Sequence, residues 1–192
     1  MLAEVAFGGR SNVGKSSLIN KLVNRRKLVR TSSTPGATRG LSLFRASLRL
    51  DGGEKAQLDL VDLPGYGFAV RSKSERKSWG PMIEGYLEGR VSLRAVVLLV
   101  DVRRGLEDDD AQLIEYLAHV KRRTIVAITK VDKLGKNDRD KAVRLIREAV
   151  KKAAVDHAKG VEVIATSADT GEGIEPLWTA IRRDTFLGPV AT

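Results

Sequence analysis

GRSNVGKS, at residues 9–16, fits the phosphate-loop pattern G-x-x-x-x-G-K-[ST]. A short apolar run at residues 5–7 precedes it, and apolar residues at helical spacing follow between Leu18 and Val23. In a strand, loop and helix of this kind, glycines let backbone N–H groups converge on phosphate oxygens, and the helix N-terminus adds partial positive charge. Lys15 then reaches the outer phosphates, and the Ser16 hydroxyl is placed to ligate Mg²⁺. The octapeptide therefore predicts a nucleotide-phosphate site.

The rest of the chain alternates between strand-like and helix-like patterns. Strand patterns occur at residues 41–50, 57–62, 95–101, 124–129 and 161–166. Helical periodicity occurs at residues 111–118, 142–153 and 174–181. The alternation predicts one α/β domain over residues 1–192, with a doubly wound, mostly parallel six-stranded sheet, one antiparallel edge strand and helices on both faces. We expect residues 30–40 and 64–80 to be irregular, because no periodic pattern covers them.

The composition narrows the class of protein further. The chain has 192 residues, with 34 Lys and Arg against 24 Asp and Glu, a formal net charge of +10 and no cysteine. This charge indicates a polyanionic partner, although a solvated basic surface gives the same composition. The absence of cysteine excludes disulfides, thiolate metal sites and a cysteine nucleophile. The longest apolar run, residues 95–100, is too short to span a membrane and the N-terminus lacks a secretory pattern, so we expect a cytoplasmic protein without membrane contact.

The strand patterns at residues 41–50 and 57–62 predict a hairpin. Asp62 ends its second strand and leads into Leu63-Pro64-Gly65. A carboxylate at the carboxyl end of a strand beside the phosphate loop suits Mg²⁺ held through water. The backbone N–H of Gly65 suits contact with the terminal phosphate. Taken alone, D-x-P-G is equally a structural turn, so both interpretations stay open at this point.

Thr129-Lys130-Val131-Asp132 follows the strand at residues 124–129. A carboxylate at Asp132 accepts hydrogen bonds from both N1–H and the N2 amine of guanine, a pair of donors that adenine does not offer in that arrangement. Lys130 packs its stem over the base, and residues 166–168 bring a backbone N–H to guanine O6. Taken alone, T-K-x-D and T-S-A carry little information. Together with the phosphate loop and D-x-P-G, in this order and each at the end of a strand, they predict a guanine-nucleotide site.

Five segments carry a resemblance to a known family: GRSNVGKSSLIN at 9–20, TPGAT at 34–38, DLPGYG at 62–67, TKVDK at 129–133 and TSA at 166–168. They resemble the translation-factor-like GTPases and, more closely, the EngB/YihA family of bacterial ribosome-assembly GTPases. The resemblance implies the Ras-like P-loop GTPase fold, GTP hydrolysis and a role in ribosome biogenesis, with links to cell division and septation. We expect the N-terminal extension that is usual in the family to be largely absent, because the sequence begins almost on the first strand.

The resemblance also assigns roles to individual residues. Thr38 is similar to the switch-I threonine that completes the Mg²⁺ shell, and it joins Ser16 and Asp62 as a metal ligand. The residues implied in binding GTP and GDP are Gly9, Arg10, Ser11, Asn12, Val13, Gly14, Lys15, Ser16, Ser17, Thr34, Pro35, Gly36, Thr38, Asp62, Gly65, Thr129, Lys130, Asp132, Lys133, Ser167 and Ala168.

The position that orients the attacking water in Ras-type enzymes is Tyr66 here instead of Gln, which predicts slow hydrolysis. Asn12 resembles the asparagine of GTPases in which K⁺ bridges the phosphates, so K⁺ is a second candidate cofactor beside Mg²⁺. The alternative is that Asn12 only hydrogen-bonds within its own loop. The expected catalytic set is Lys15, Thr38, Gly65 and Asn12.

Two basic runs, residues 21–30 and 71–77, flank the nucleotide motifs and predict RNA contact that depends on the bound nucleotide. With the resemblance, they indicate the large ribosomal subunit and its rRNA as partner of a monomer, and no DNA. The alternative function is a nucleotide-responsive RNA-binding module with negligible turnover. A P-loop kinase is disfavoured, because no Arg-rich lid segment follows the fourth strand and T-K-x-D favours guanine.

Overall fold

The computed structural model describes residues 2–24, 41–49, 55–65, 73–154 and 161–185, with only the backbone of 48, 49, 55 and 73–80. The elements in chain order are β1 Glu4–Gly9, α1 Lys15–Leu22, β2 Ser42–Arg49, β3 Lys55–Asp62, α2 Lys73–Gly89, β4 Leu93–Asp101, α3 Asp108–His119, β5 Arg123–Thr129, a 3₁₀ turn Val131–Lys133, α4 Lys136–Ala153, β6 Val161–Ala165 and α5 Ile174–Thr185. Among these elements, no helix has the length and apolar character needed to cross a membrane.

The six strands form a single sheet in the order β2-β3-β1-β4-β5-β6. β2 pairs antiparallel with β3, and every other neighbouring pair is parallel. This confirms the predicted mixed sheet with one antiparallel edge strand. Because the parallel strands share a direction, their carboxyl ends meet at one edge, the position at which doubly wound folds bind ligands. Gly9, Asp62, Asp101, Thr129 and Ala165 end β1, β3, β4, β5 and β6 there.

Helices cover both faces of the sheet, so the central strands are apolar along their length. α1 and α5 pack on one face around Phe7, Ile19 and Leu177, and the indole N–H of Trp178 donates to the Leu22 carbonyl at 2.7 Å. α2, α3 and α4 cover the other face. The start of α3 is acidic, and Glu107 and Asp110 form a reciprocal capping box there.

Helix α2 corrects one expectation, because residues 64–80 are not irregular throughout: α2 begins at Lys73. Gly80 and Pro81 lie inside the helix and both residue types disfavour helix interiors, which hid the pattern. The helix is nevertheless held by tertiary contacts, because Ile83 and Leu87, four residues apart, are buried against the sheet. The other stretch, residues 30–40, lies outside the described residues.

The carboxyl end of α2 is fixed by polar contacts with the sheet. Arg122 donates to the carbonyl oxygens of Leu87, Glu88, Arg90 and Leu93, satisfying groups that a helix end leaves unpaired. The buried carboxylate of Glu4 accepts hydrogen bonds from Tyr86, Arg90 and Ser92. These contacts lie at the end of the strands opposite the carboxyl edge.

Candidate functional site

The phosphate loop leaves β1 at Gly9 and enters α1 at Lys15. Gly14 has φ = +100°, a left-handed backbone that favours glycine, and this conformation turns the loop into the first turn of the helix. The loop is braced from β5, because the Thr129 hydroxyl donates to the Val13 carbonyl at 2.7 Å. Val13 and Thr129 are both buried, so this contact ties the phosphate loop to the strand that precedes the predicted base-reading motif.

Lys15 and Asp62 form a buried ion pair at the base of the phosphate loop. Parallel pairing of β1 with β3 places Asp62 opposite Phe7, directly below the loop. Only 10 % of the Lys15 side chain and 2 % of the Asp62 side chain are exposed. Burial lowers the pKa of Lys15 to about 8. The site thus holds a desolvated positive charge at the point where the sequence predicts the outer phosphates of a nucleotide.

The oxygen atoms available here fit Mg²⁺. Ser16 follows Lys15 in the first turn of α1, and Asp62 lies beside the same turn, so a hydroxyl and a carboxylate are both present. Mg²⁺ prefers such oxygen ligands and completes its shell with water and substrate phosphates. In the part of the chain that the structure describes, no group of three or more acidic, histidine or cysteine side chains is arranged to hold a metal ion. The third predicted ligand, Thr38, lies outside the described residues, as do Thr34, Pro35 and Gly36.

Gly65 lies in close contact with the phosphate loop. A Cβ atom added to it would stand 3.0 Å from the Ser11 Oγ and 3.3 Å from the Ser11 backbone nitrogen. The chain reaches this position because the Leu63 N–H donates to the Phe7 carbonyl at 3.0 Å. A side chain at this position would press on the phosphate loop, so glycine permits the close approach of the D-x-P-G segment to that loop. Tyr66 lies outside the described residues.

At the other end of the cleft, Asp132 is oriented by two neighbours. The Ser167 hydroxyl donates to Asp132 Oδ1 at 2.6 Å, and the Lys133 ammonium lies 2.9 Å from Oδ2. The Ser167 hydrogen bond, followed by that of Lys133, lowers the pKa of Asp132 below its ordinary value, so the carboxylate is ionised at neutral pH. Lys133 also pairs with Asp169 at 2.8 Å.

These side chains border a cleft of about 100 Å³ beside the phosphate loop. Its lining combines the start of α1 with both predicted base motifs: Gly14, Ser17, Leu18, Thr129, Lys130, Asp132, Lys133, Ala168 and Asp169. The structure therefore brings together residues that lie far apart in sequence and that we predicted to contact one ligand. The available space lies between the Asp132 carboxylate and the phosphate loop.

The turn after β6 offers one free backbone donor to this cleft. The Ser167 N–H donates to the Glu172 carbonyl at 2.9 Å, and the Thr166 N–H donates to the Ile128 carbonyl at 2.7 Å. Within the described ranges nothing accepts a hydrogen bond from the Ala168 N–H, although Ala168 lines the cleft. Of the three residues predicted to offer an N–H to guanine O6, Ala168 is therefore the one that has it available.

Lys130 connects the two ends of the site. Its backbone is left-handed, with φ = +60°, and its ammonium donates to the Asn12 carbonyl at 2.7 Å while lying 3.0 Å from Asp101 Oδ2. Asp101 is buried, which alone would raise its pKa, but contacts with Arg103 and Lys130 outweigh burial and lower that pKa to about 2. Asp101 was not among the predicted site residues. Its one indication was a carboxylate at the carboxyl end of an apolar strand.

The side chains of Arg10 and Asn12, two residues of the phosphate loop, have different surroundings. The Arg10 guanidinium is turned away from the cleft toward the start of α3, where it pairs with Glu107 and Asp109 at 3.1 Å each. Asn12 is exposed with φ = +63°, and its carboxamide has no partner among the residues that the structure describes. The alternative in which Asn12 hydrogen-bonds within its own loop therefore has no such side-chain bond to support it.

Comparison with known proteins agrees with this geometry. Residues 4–130 match the family described as 50S ribosome-binding GTPase, and residues 85–185 match the elongation factor Tu GTP-binding domain. The probable GTP-binding protein EngB of Trichlorobacter lovleyi is 45% identical over 181 residues, which cover 94% of this chain and 85% of that relative. The EngB protein of Bacillus thuringiensis is 43% identical over 184 residues, covering 96% and 86%.

Solved structures that resemble this chain are also GTP-binding proteins. A crystal structure of a probable GTP-binding protein EngB superposes with a TM-score of 0.68 at 26% identity, covering 93% of this chain and 96% of that one. Era in complex with MgGDPNP and nucleotides 1506–1542 of 16S ribosomal RNA superposes with a TM-score of 0.76 at 26% identity, covering 100% and 59%. The fold, the site and these matches define a P-loop GTPase, an enzyme that hydrolyses GTP. Within that class, the chain belongs to the EngB family of GTP-binding proteins.

Proposed function

We propose that this GTPase is a slow nucleotide switch acting in assembly of the large ribosomal subunit. The observation that carries the proposal is the joint placement of the Lys15–Asp62 pair and the Asp132–Ser167 pair along one sheet edge. The matching family is described as 50S ribosome-binding, and Era, a structural neighbour, was solved with ribosomal RNA. The basic runs at residues 21–30 and 71–77 supply charge suited to RNA, and in the sequence they adjoin the segments that contain Thr38 and Gly65.

In this proposal the phosphate end neutralises and orients the triphosphate. Lys15 binds the outer phosphate oxygens, and the Gly65 N–H contacts the terminal phosphate. Ser16, Asp62 and Thr38 hold Mg²⁺, which neutralises phosphate charge when bound. At the base end, Asp132 accepts from the guanine N1–H and N2 amine, and the Ala168 N–H donates to O6.

Asn12 supplies the proposed route to faster hydrolysis, because its exposed carboxamide, which has no partner among the described residues, suits a monovalent cation beside the phosphates. We expect K⁺ to accelerate GTP hydrolysis over Na⁺ at equal ionic strength, and Asn12→Asp or Asn12→Ala to remove the difference. GDP affinity of each variant serves as the control for an intact loop. Equal wild-type rates in the two salts would exclude this role for Asn12.

The test of the ribosomal role is co-sedimentation with purified ribosomal subunits, comparing a non-hydrolysable GTP analogue with GDP. Two salt concentrations are needed, because non-specific binding of a +10 protein to RNA weakens steeply with salt. We expect salt-resistant pelleting with the large subunit, and only with the analogue. Pelleting that ignores the nucleotide and vanishes at higher salt would refute the proposal.

Tyr66, which stands where Ras-type enzymes carry Gln, favours the second candidate, an RNA-binding module whose own turnover is negligible. Multiple-turnover hydrolysis, measured with and without ribosomal particles, separates the two candidates. A switch hydrolyses GTP slowly alone and faster with the large subunit. A module of the second kind shows no acceleration by either subunit.

A further inference from the structure

Helix α4 exposes a set of basic side chains that have no ionic partner among the described residues. None of them lies within ion-pair or hydrogen-bond distance of another side chain in the part of the chain that the structure describes: Lys136, Lys141, Arg144, Arg147, Lys151 and Lys152. We call these six residues the α4 basic face. Three exposed carboxylates share the helix surface, Asp138, Asp140 and Glu148, so the face keeps a net charge of +3.

The α4 basic face contrasts with the rest of the described chain. Elsewhere, basic side chains are engaged by carboxylates or carbonyl oxygens, as Arg10, Arg90 and Arg183 illustrate. Outside α4, the described cations without such a partner are Lys21, Arg94 and Lys121, and each lies on a different part of the fold. Among the side chains that the structure describes, unpaired positive charge is therefore concentrated on α4.

The position of α4 separates this face from α2, the helix that follows the D-x-P-G segment in the chain. On its sheet face, α3 packs between α4 and α2, and α4 contacts α3 and β6. The apolar side of α4, including Ile146 and Val150, is buried in the core. Leu145 is the exposed large apolar residue of this helix, so α4 has no apolar stripe to insert into a lipid surface.

We propose that the α4 basic face docks on the phosphate backbone of duplex RNA, with an affinity that does not depend on the bound nucleotide. The 18-residue helix is about 27 Å long, a rigid row of charges that suits a regular phosphate array. α4 contains no aromatic residue, and stacking on aromatic side chains is how proteins hold unpaired bases, so duplex is favoured over single-stranded RNA. The choice of RNA among polyanions rests on the proposed function.

The test compares two neutralised pairs in the full-length protein. Arg144→Gln/Arg147→Gln removes two charges from the α4 basic face, and Arg94→Gln/Lys121→Gln removes two equally unpaired charges elsewhere. The probe is a mixed-sequence RNA duplex, titrated at several salt concentrations with GDP and with a non-hydrolysable GTP analogue. Unchanged GDP affinity shows that each variant is folded, and Lys151→Gln/Lys152→Gln is a second α4 pair.

We expect both α4 pairs to weaken RNA binding about tenfold and to lower the salt slope by about 1.5, because each lost phosphate contact removes roughly 0.7–0.9 from the slope. The control pair changes affinity less than about twofold, since its charges contribute only to the long-range field. The ratio of variant to wild-type affinity is the same with either nucleotide.

Three results would overturn the inference: equal losses in the α4 and control pairs, no loss in the α4 pairs, or wild-type binding to vesicles of anionic lipid without binding to the duplex. The proposed function fails separately, when co-sedimentation with the large subunit ignores the nucleotide. An α4 effect on the isolated duplex survives that failure, and GTP-dependent pelleting survives loss of the α4 effect.

Discussion

The two ends of the cleft differ in how their charged side chains are buried and paired. At the phosphate end, Lys15 and Asp62 neutralise each other in a buried pair. At the base end, Asp132 lies in a more open network with Ser167 and with Lys133, whose side chain is 47% exposed. Buried charges interact strongly but are costly to leave unpaired, whereas exposed pairs are screened by solvent.

Because the two ends differ in burial, we expect them to contribute differently to the strength and to the specificity of nucleotide binding. A phosphate that binds Lys15 competes with Asp62, so the free energy gained at this end is the balance of two strong interactions. Asp132 is oriented by Ser167 while its side chain still borders the cleft, so a base meets a preorganised carboxylate. We therefore expect changes at the base end to alter which nucleotide binds, and changes at the phosphate end to alter stability as well as affinity.

The largest expected effect is the loss of guanine recognition in Asp132→Asn. The amide keeps one acceptor but faces a guanine donor with its own N–H₂ group, and polar mismatches of this kind cost about 10⁴-fold in discrimination. We expect GDP affinity to fall by that order and xanthosine diphosphate to bind better, because its O2 accepts where the guanine amine donates. Titration with both nucleotides measures this, and GDP binding as tight as wild type would refute the assignment.

The next effect concerns the buried pair. Lys15→Met leaves the Asp62 carboxylate unpaired in the interior, which we expect to lower the free energy of unfolding by about 3–5 kcal/mol. Lys15→Met/Asp62→Leu replaces both charges by apolar groups and should recover most of that stability, although neither variant binds GTP tightly. Urea unfolding of the two variants measures the difference. Equal destabilisation of the single and double variants would show that the pair does not act as a unit.

Sequence reasoning succeeded where local chemistry determines local structure. The phosphate loop, the hairpin, the parallel strands and the residues that follow each strand are predictable, because their glycines, β-branched runs and strand ends act locally. It failed for α2, where Gly80 and Pro81 conceal a helix that tertiary burial of Ile83 and Leu87 sustains. Nor did it predict that the Arg10 guanidinium pairs with the acidic start of α3, whereas the nucleotide contact assigned to Arg10 stays a prediction.

Asp101 was missed for a related reason. Its partner Lys130 is brought to it by the pairing of β4 with β5 and by a left-handed backbone at Lys130, and neither leaves a pattern in the sequence. A residue that positions another side chain is recognisable only once both strands are aligned. The base end therefore contains a carboxylate, Asp101, in addition to Asp132, the one predicted to contact the base.

Asp101→Asn is expected to lower GDP affinity by an intermediate amount. The amide keeps an acceptor for Lys130 but loses the charge, and a hydrogen bond to a charged group contributes about 1.5–3 kcal/mol. We expect GDP affinity to fall about tenfold, and to fall no further when Asp101→Asn is added to Lys130→Met. Arg103→Gln is the matched control, since it removes the half-exposed partner of Asp101 and should change GDP affinity less than twofold. Additive losses in the double variant would place Asp101 outside the Lys130 contact.

The smallest effect is expected for Lys133→Met, which breaks the exposed part of the base-end network. Lys133 pairs with Asp132 and Asp169, and both contacts raise the pKa of Lys133 above its ordinary value. An ammonium this exposed is screened, so we expect GDP affinity to change less than about threefold while Ser167 keeps Asp132 in place. Asp169→Asn, which breaks the outer contact alone, should change affinity less still. A loss in Lys133→Met as large as that in Asp132→Asn would mean that Lys133, and not Ser167, orients the carboxylate, and the contrast between a buried and an open end would not hold.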